Sequence, residues 1–291
     1  MSGFSLAWLA LREAADHRSR NAHLAETLKS RFLQREAITV VDLGCGTGSN
    51  LRATAQLLPD RQSWTLIDHD AELLAAARLS LISWADSSDM SQGQLTLRKG
   101  AASIGVTLRC ADLTRELDGV LGAAPDLVTA SALFDLASVA FITQFAAAVA
   151  KRRAVFYTVL TYNGSQRWLP RGPLDQRMNG AFHHHQVTDK GFGTAAGPTA
   201  PVALADQFQT HGYIIGEGDS RWRLGTADGA LISELASGFA AAVRQTKAVS
   251  DAEIDAWLKR GHTAAEVGHT DTLAMPGTIS RIETSDNDDE D

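Results

Sequence analysis

A short run of glycines follows an apolar, β-branched stretch, in VVDLGCGTGSN at residues 40–50. Asp42 stands just before Gly44, Gly46 and Gly48, which recur at every second position. A strand that ends in glycines lets a ligand approach the backbone closely, because glycine lacks a Cβ and tolerates a positive φ. Phosphates, dinucleotides and adenosyl compounds all bind to loops of this kind, so the loop alone leaves its ligand open.

The spacing of these residues helps to distinguish among the three ligand classes. A phosphate-binding P-loop needs a lysine after its last glycine, and no lysine follows here. A dinucleotide loop has the pattern G-x-G-x-x-G, which requires a glycine where this chain has Ser49. A second acid, Asp68, ends the next predicted strand, where its carboxylate can accept hydrogen bonds from two ribose hydroxyls. Such an acid suits NAD as well as an adenosyl compound.

The order of the motifs resembles that of the class I S-adenosylmethionine (SAM)-dependent methyltransferases. The glycine loop is similar to the family's first motif, and Asp68 ends strand two. CADL (110–113) and TASALFDL (129–136) follow in the places of the third and fourth motifs. WLALREAADHR (8–18), AFHHHQVTDKGFGTAAGP (181–198) and VGHTDTLAMP (267–276) also resemble segments of a bacterial group of these enzymes whose substrate is unknown.

This resemblance implies SAM as the cofactor and a role for each motif. Asp42 would orient the loop and the ammonium group of the ligand, Asp68 would hold the ribose, and Asp112 would accept a hydrogen bond from the adenine amino group. The glycines would pass close to the aminocarboxypropyl chain, and an arginine before the loop, Arg12 or Arg20, would pair with the SAM carboxylate. The predicted cofactor-binding residues are Asp42, Gly44, Cys45, Gly46, Gly48, Asn50, Asp68, His69, Asp112, Leu113, Ser131, Ala132 and Leu133.

Strands and helices alternate from residue 37 to residue 162, which predicts a parallel sheet with helices on both faces. With the resemblance, this predicts an α/β fold: a Rossmann-like, doubly wound, mostly parallel seven-stranded sheet with helices on both faces, plus N-terminal helices and a substrate-side insertion. The predicted divisions are an N-terminal helical cap (1–36), a SAM-binding core (37–162), an irregular lid or substrate loop (163–201), C-terminal helices and strands that complete the sheet (202–280), and a disordered acidic tail (281–291).

The segment 163–201 is rich in glycine, proline and polar residues, which predicts an irregular substrate-side loop. His183, His184 and His185 lie within it. Side chains of adjacent residues point apart, so we predict no metal site. Acid–base work by one histidine and plain packing both remain open. The predicted catalytic residues are His184 and His185. The predicted substrate-binding residues are Tyr162, Asn163, Trp168, His183 and Arg12.

The overall charge and composition limit the classes of partner. The formal net charge is −7, and no proline follows strand four, whereas family members that methylate nucleic-acid amino groups carry an Asn/Asp-Pro-Pro-aromatic motif there. We therefore expect a small-molecule substrate and no nucleic acid. No signal peptide and no apolar stretch of 18 residues is recognisable, which predicts a cytoplasmic protein without a membrane partner. The oligomeric state stays open.

The sequence thus predicts an enzyme that transfers a methyl group from SAM to a small molecule by in-line displacement. Such chemistry needs positioning of the acceptor more than a catalytic triad or a metal cluster. Two alternatives remain open. One is an NAD-dependent oxidoreductase, which is disfavoured because Ser49 stands where a dinucleotide loop has a glycine. The other is a non-catalytic SAM-binding protein that kept the fold after losing its chemistry.

Overall fold

The computed structural model describes residues 4–91 and 94–277. The helices are α1 (Leu6–Ser19), α2 (Ala22–Phe32), α3 (Ser49–Thr54), α4 (Ala71–Trp84), α5 (Leu113–Leu121), α6 (Val139–Arg152), α7 (Asp175–Gln186), α8 (Ala200–Thr210), α9 (Gly229–Thr246) and α10 (Asp251–Lys259). The strands are β1 (Ala37–Leu43), β2 (Arg61–Asp68), β3 (Ser87–Ser91), β4 (Gln94–Lys99), β5 (Ala102–Cys110), β6 (Leu127–Ser131), β7 (Val155–Leu169), β8 (Tyr213–Asp219), β9 (Trp222–Leu224) and β10 (Ala264–Pro276). The acidic tail predicted at 281–291 lies outside the described residues.

All ten of these strands join one sheet, in the order β3-β4-β5-β2-β1-β6-β7-β10-β8, with β9 paired to β10. The five central strands, β5-β2-β1-β6-β7, are parallel. Both edges are antiparallel, through β3-β4-β5 on one side and β7-β10-β8 on the other. The carboxyl ends of the central strands therefore meet at one edge of the sheet, where ligands of doubly wound folds bind.

Two hydrophobic layers cover the faces of this sheet. Alternate residues of β1 point to opposite sides, so that Val40 packs in one cluster and Val41 in the other. Buried side chains of α2, α4, α7, α9 and α10 fill the first cluster, and those of α5, α6 and α8 fill the second. This arrangement confirms the predicted doubly wound α/β fold with N-terminal helices.

The predicted number of strands is wrong, because the described sheet has ten strands rather than seven. The seven strands β5-β2-β1-β6-β7-β10-β8 are extended by the β3–β4 hairpin and by β9. Every residue of β3 is exposed, and its sequence, SSDMS, lacks apolar alternation. The strand is held by its antiparallel pairing with β4, which a local pattern does not reveal.

The segment 163–201 is also more regular than its composition predicts. Strand β7 continues to Leu169 because it pairs with β10, with Trp168 opposite Ala265. Helix α7 follows, and it buries Met178 and Ala181. The carboxylate of Asp175, at its start, accepts hydrogen bonds from the Trp257 indole (2.8 Å) and from Arg260. The irregular parts are the short connection at residues 170–174 and the longer one at residues 187–196.

None of the described helices is both long and apolar enough to cross a membrane.

Candidate functional site

A cavity of about 300 Å³ opens at the carboxyl ends of β5, β2, β1 and β6. It is covered by α1 and by part of the irregular segment after α7. The predicted residues on its wall are Arg12, Gly44, Cys45, Gly46, Asn50, Asp68, His69, Asp112, Leu113, Ser131, Ala132 and Leu133. Residues on the wall outside the predicted set are Phe4, Leu9, Asp16, Thr47, Ser49, Leu73, Ala111, Thr114, Leu136, Lys190, Gly191 and Phe192.

The three loop glycines all adopt a left-handed backbone, with φ of +61° at Gly44, +52° at Gly46 and +75° at Gly48. The Cys45 N–H donates to the Ile67 carbonyl (2.9 Å), which ties the loop to β2. At Gly44 a Cβ would lie 3.1 Å from Leu133 Cδ1, so the loop also packs closely on the segment after β6. Glycine is needed here both for the backbone angles and for the close approach.

Asp42 lies behind the cavity wall. It is fully buried, and its Oδ1 accepts a hydrogen bond from Asn50 Nδ2 (2.6 Å). Asn50 in turn accepts from Arg20 (2.9 Å). Burial raises the pKa of Asp42 to about 7, while Asn50 and Arg20 oppose that rise. Asp42 thus contacts the cavity lining through Asn50. Because Arg20 donates to Asn50 behind the wall, Arg12 is the one of the two predicted arginines that lies on the cavity wall.

Asp68 and Asp112 face the cavity from the ends of β2 and β5. Asp68 Oδ2 accepts a hydrogen bond from the Gly46 N–H (2.9 Å), and its Oδ1 accepts from the Asp70 N–H (3.1 Å). Asp112 begins α5, where its Oδ1 accepts from the backbone and hydroxyl of Thr114 (2.9 and 2.7 Å). These bonds lower the pKa of Asp112, so it is ionised at neutral pH. Both carboxylates keep lone pairs for a ligand.

Helix α1 is fastened to the glycine loop by charged side chains. Arg52 donates to both carboxylate oxygens of Glu13 (2.9 and 2.6 Å) and to the Thr47 carbonyl (2.7 Å). His17 hydrogen-bonds Ser49 through Nε2 (2.9 Å to Oγ). The charged residues of α1 are visible in the sequence, but their partners lie too far along the chain for a local pattern to predict these contacts.

An ion pair on the inner face of α1 also has a partner that is distant in the chain. Arg12 donates to both oxygens of Asp16 (2.8 and 3.2 Å), and the Trp222 indole donates to Asp16 Oδ1 (3.0 Å). Arg12 and Asp16 both line the cavity. With Asp68, Asp112 and Lys190, the wall carries three carboxylates against two fixed cations.

The loop after β6 contributes Ser131, Ala132 and Leu133 as predicted positions on the wall. Ala132 has a left-handed backbone, with φ of +51°, and its N–H donates to the Val159 carbonyl (2.9 Å). Asp135 follows two residues after the last of these. It is 8% exposed, and burial raises its pKa to about 6. No pattern in the sequence pointed to Asp135, because a single acid in an apolar stretch has no characteristic spacing.

The residues predicted for catalysis do not border this cavity, and His185 reaches its wall only through Lys190, whose Nζ lies 3.4 Å from the His185 ring. His184 is exposed on α7, and His185 Nε2 lies 3.2 Å from Gln245 Oε1. Their prediction rested on an irregular loop folding over the site, whereas these residues lie in a regular helix that packs against α9. Neither histidine borders the cavity.

Four predicted substrate-binding residues also lie outside the cavity wall. Trp168 packs edge-to-face on Trp257, with ring centroids 5.0 Å apart, in the first hydrophobic cluster. The Tyr162 hydroxyl lies 3.2 Å from His183 Nε2, and Asn163 donates to Thr270 Oγ1 (3.2 Å). Of the five, only Arg12 borders the cavity. Tyr162, Asn163 and Trp168 belong to β7, which continues as a sheet strand instead of leaving the core, and His183 belongs to α7.

Among the described residues, no group of three histidine, cysteine, aspartate or glutamate side chains is placed to hold a metal ion. Burial raises the pKa of the Cys45 thiol, and the nearby carboxylates of Asp42 and Asp68 raise it further. Cys45 therefore presents a neutral thiol to the cavity.

Comparison with known proteins gives a likeness of structure without a likeness of sequence. No family model matches the chain, and no curated protein matches it. The YcgJ protein from Bacillus subtilis superposes with a TM-score of 0.51 at 11% identity, over 89% of this chain and 100% of that one. A cyclopropane-fatty-acyl-phospholipid synthase-like protein from Lactobacillus casei gives 0.52 at 13% identity, over 91% and 99%. The chain therefore has the Rossmann-like α/β fold of these proteins, the fold that its resemblance to the class I SAM-dependent methyltransferases implied.

Proposed function

We propose that the chain is a SAM-dependent methyltransferase that acts on a small molecule. The observation that carries this proposal is the meeting of the glycine loop, Asp68 and Asp112 on one cavity. These elements end the neighbouring strands β1, β2 and β5, so the order along the sheet matches the order of the motifs along the chain.

The glycine loop and Asp68 suit the ribose and the amino-acid chain of SAM. A Cβ at Gly46 would point toward Leu9 Cδ1, at 3.4 Å, so glycine leaves this strip of the cavity free. Asp68 fixes the loop through the Gly46 N–H and keeps further lone pairs for vicinal hydroxyls. Asp112, with Leu113 and Ala111, provides an ionised acceptor beside an apolar surface for adenine.

The charge of the cavity wall favours SAM over a dinucleotide. Three carboxylates face two fixed cations, which favours a ligand that carries a sulfonium and an ammonium group. The same wall disfavours the pyrophosphate of NAD. In addition, Ser49, the first residue of the short helix α3 that follows the loop, is hydrogen-bonded to His17.

When bound, SAM supplies a methyl group that its sulfonium already activates for displacement. The chain has then to hold the donor, exclude water and place the acceptor behind the methyl group. The cavity of about 300 Å³ lies within the usual range for sites that bind small ligands. The net negative charge supports an acceptor other than nucleic acid.

Calorimetric titration of the protein with SAM, S-adenosylhomocysteine and NAD tests this proposal. We expect saturable binding of the two adenosyl compounds and none of NAD. Asp68→Ala removes hydrogen bonds to the ribose and to the loop, so it should weaken S-adenosylhomocysteine about 100-fold. Asp112→Ala, at a more exposed acid, should weaken it about 10-fold.

Asp86→Ala is the matched control, because Asp86 is an acid that pairs with Lys99 on the surface and does not border the cavity. It should leave all affinities unchanged. Binding of NAD alone would contradict the proposal and favour an oxidoreductase. Binding of S-adenosylhomocysteine without turnover in a screen of small hydroxyl and amine acceptors would favour a non-catalytic SAM-binding protein.

A further inference from the structure

The irregular segment after α7 forms one end of the cavity wall, where it contributes Lys190 and Phe192. The Phe192 ring packs edge-to-face on Phe141 of α6, with ring centroids 4.8 Å apart. Further along the segment, the Ala196 N–H donates to the Ala137 carbonyl (2.7 Å), in the loop between β6 and α6. The segment therefore rests on the loop that follows β6, and it brings a lysine and an aromatic ring to the cavity there.

The polar neighbours of the Lys190 ammonium group are uncharged. Its Nζ donates to Thr188 Oγ1 (2.8 Å) and lies 3.4 Å from the His185 ring. Burial, together with the charge of Lys190, lowers the pKa of His185, so that this ring is neutral at pH 7. Asp189 precedes Lys190 in the chain, but its Oδ1 accepts from two backbone N–H groups of the same segment (2.7 and 3.1 Å).

Among the described residues, no carboxylate offsets the charge of Lys190. Burial lowers the pKa of its ammonium group, and no described acid opposes that effect. The other cation on the wall, Arg12, differs in this respect, because it donates to both carboxylate oxygens of Asp16 (2.8 and 3.2 Å). A partly buried charge without a counter-ion costs free energy, which a bound anion offsets. Lys190 is thus the cation on the described wall that is available to a ligand.

The order of the strands indicates which part of a ligand Lys190 would meet. In the proposed function, adenine lies at Asp112 after β5, the ribose at Asp68 after β2, and the amino-acid chain at the glycine loop after β1. The next strand of the sheet on that side is β6. Because the segment after α7 rests on the loop that follows β6, Lys190 and Phe192 lie on the side from which the acceptor approaches.

We propose that Lys190 binds an anionic group of the methyl acceptor, a carboxylate or a phosphate. This inference rests on the proposed function, because it names the acceptor class for the same cavity. Phe192 and Leu136 add apolar surface to the wall, so the acceptor combines an anionic group with an apolar or aromatic body. In this role Lys190 is a point charge that sets specificity, and it transfers no proton.

Benzoate, phenyl phosphate and neutral benzamide serve as the probes, because they share one aromatic ring and differ in charge. Calorimetry measures their affinities for the protein saturated with S-adenosylhomocysteine. We expect the better of the two anions to bind at least about 10-fold tighter than benzamide, since only an anion compensates the ammonium charge. Which anion binds tighter distinguishes a carboxylate from a phosphate acceptor. Equal affinities of all three probes, or no binding of either anion, would overturn the inference.

Substitutions of Lys190 assign the preference for an anion to this residue. Lys190→Met should abolish it, and Lys190→Arg should keep it, because the guanidinium restores the positive charge. Lys29→Met, on an exposed part of α2, is the matched control and should behave as the wild type. All three variants should bind S-adenosylhomocysteine within about 2-fold of the wild type, which also shows that they are folded.

The S-adenosylhomocysteine titration separates this inference from the proposed function. A preference for the anion that survives in Lys190→Met overturns the inference. If that variant instead weakens S-adenosylhomocysteine by about 10-fold or more, Lys190 holds the carboxylate of the cofactor, which also contradicts the inference and leaves the proposed function standing. If S-adenosylhomocysteine does not bind the wild-type protein, the proposed function itself fails.

Discussion

Two aspartates at the ends of adjacent strands show how position alone changes the use of one side chain. Asp42 on β1 is fully buried, and its Oδ2 has no partner among the described residues. Asp68 on β2 faces the cavity and holds the Gly46 N–H. The first sets the shape of the loop through Asn50, and the second is free to meet a ligand. The resemblance implied different roles for the two residues, Asp42 for the loop and the ammonium group of the ligand and Asp68 for the ribose, and the structure places Asp42 behind the cavity wall and Asp68 on it.

Gly46→Ala tests the loop at the scale of one residue. The left-handed backbone should cost about 1 kcal/mol of unfolding free energy, and the added methyl group should intrude on the cavity. We expect the affinity for S-adenosylhomocysteine to fall at least 10-fold by calorimetry. Gly100→Ala is the control, since Gly100 has a similar φ of +56° and open space around a Cβ. It should share the loss of stability and keep the affinity.

At the scale of elements, the N-terminal helix completes the site that the strands begin. α1 contacts the glycine loop through Glu13 and Arg52 and lines the cavity through Arg12 and Asp16. Its N-terminus is fixed by Ser5, whose side chain accepts from the Trp8 N–H (3.1 Å). A helix that looked like a cap in the sequence is thus part of the cavity wall.

Arg52→Ala tests this contact. Arg52 is largely buried, so its removal leaves Glu13 without its partner and frees the Thr47 carbonyl. We expect a loss of about 2–3 kcal/mol in unfolding free energy and about 10-fold in affinity for S-adenosylhomocysteine. Arg18→Ala removes a more exposed ion pair of the same helix, with Asp228. It should change stability by less than about 1 kcal/mol, and equal effects of the two variants would contradict this account.

At the scale of the whole molecule, burial of ionisable side chains makes stability depend on pH in two directions. Burial, aided by the charge of Arg12, lowers the pKa of His269 to about 3. The unfolded chain therefore binds a proton at His269 before the folded one does, so this residue's contribution is lost as the pH falls below about 6.5. Burial raises the pKa of Asp42 and of Asp135. As the pH falls, the folded chain therefore binds protons at these two residues before the unfolded chain does, and this favours the folded state.

His269→Gln separates the two directions. Between pH 7.5 and pH 5, the wild-type protein should lose about 2 kcal/mol more unfolding free energy than the variant. The reason is that pH 5 lies about 1.5 units below the pKa of His269 in the unfolded chain, which therefore takes up a proton there, whereas the folded chain does not. Urea unfolding at both pH values measures this difference. His23→Gln, on an exposed face of α2, controls for the loss of one histidine. A pH profile of His269→Gln that parallels the wild type would contradict the assignment.

Sequence by itself determined the parts of this protein that are set by local pattern. The glycine spacing in 40–50 specifies backbone angles that only glycine adopts freely, and alternating apolar periods specify the strands and helices around it. Because parallel strands end at one edge of a sheet, the ends of β1, β2 and β5 were expected to converge, and the structure brings Gly46, Asp68 and Asp112 to one cavity.

Tertiary structure decided what depends on partners distant in the chain. The polar strand β3 and the end of β7 are regular because other strands supply their hydrogen bonds, at β4 and β10. His184 was placed at the site by composition, yet it lies on a helix packed elsewhere. The loop after β6 is held by hydrogen bonds to residues 196–197, which lie far from it in the chain. Local periodicity records backbone preference and burial, whereas the pairing of a side chain with a cavity or a charge exists only once the chain has folded.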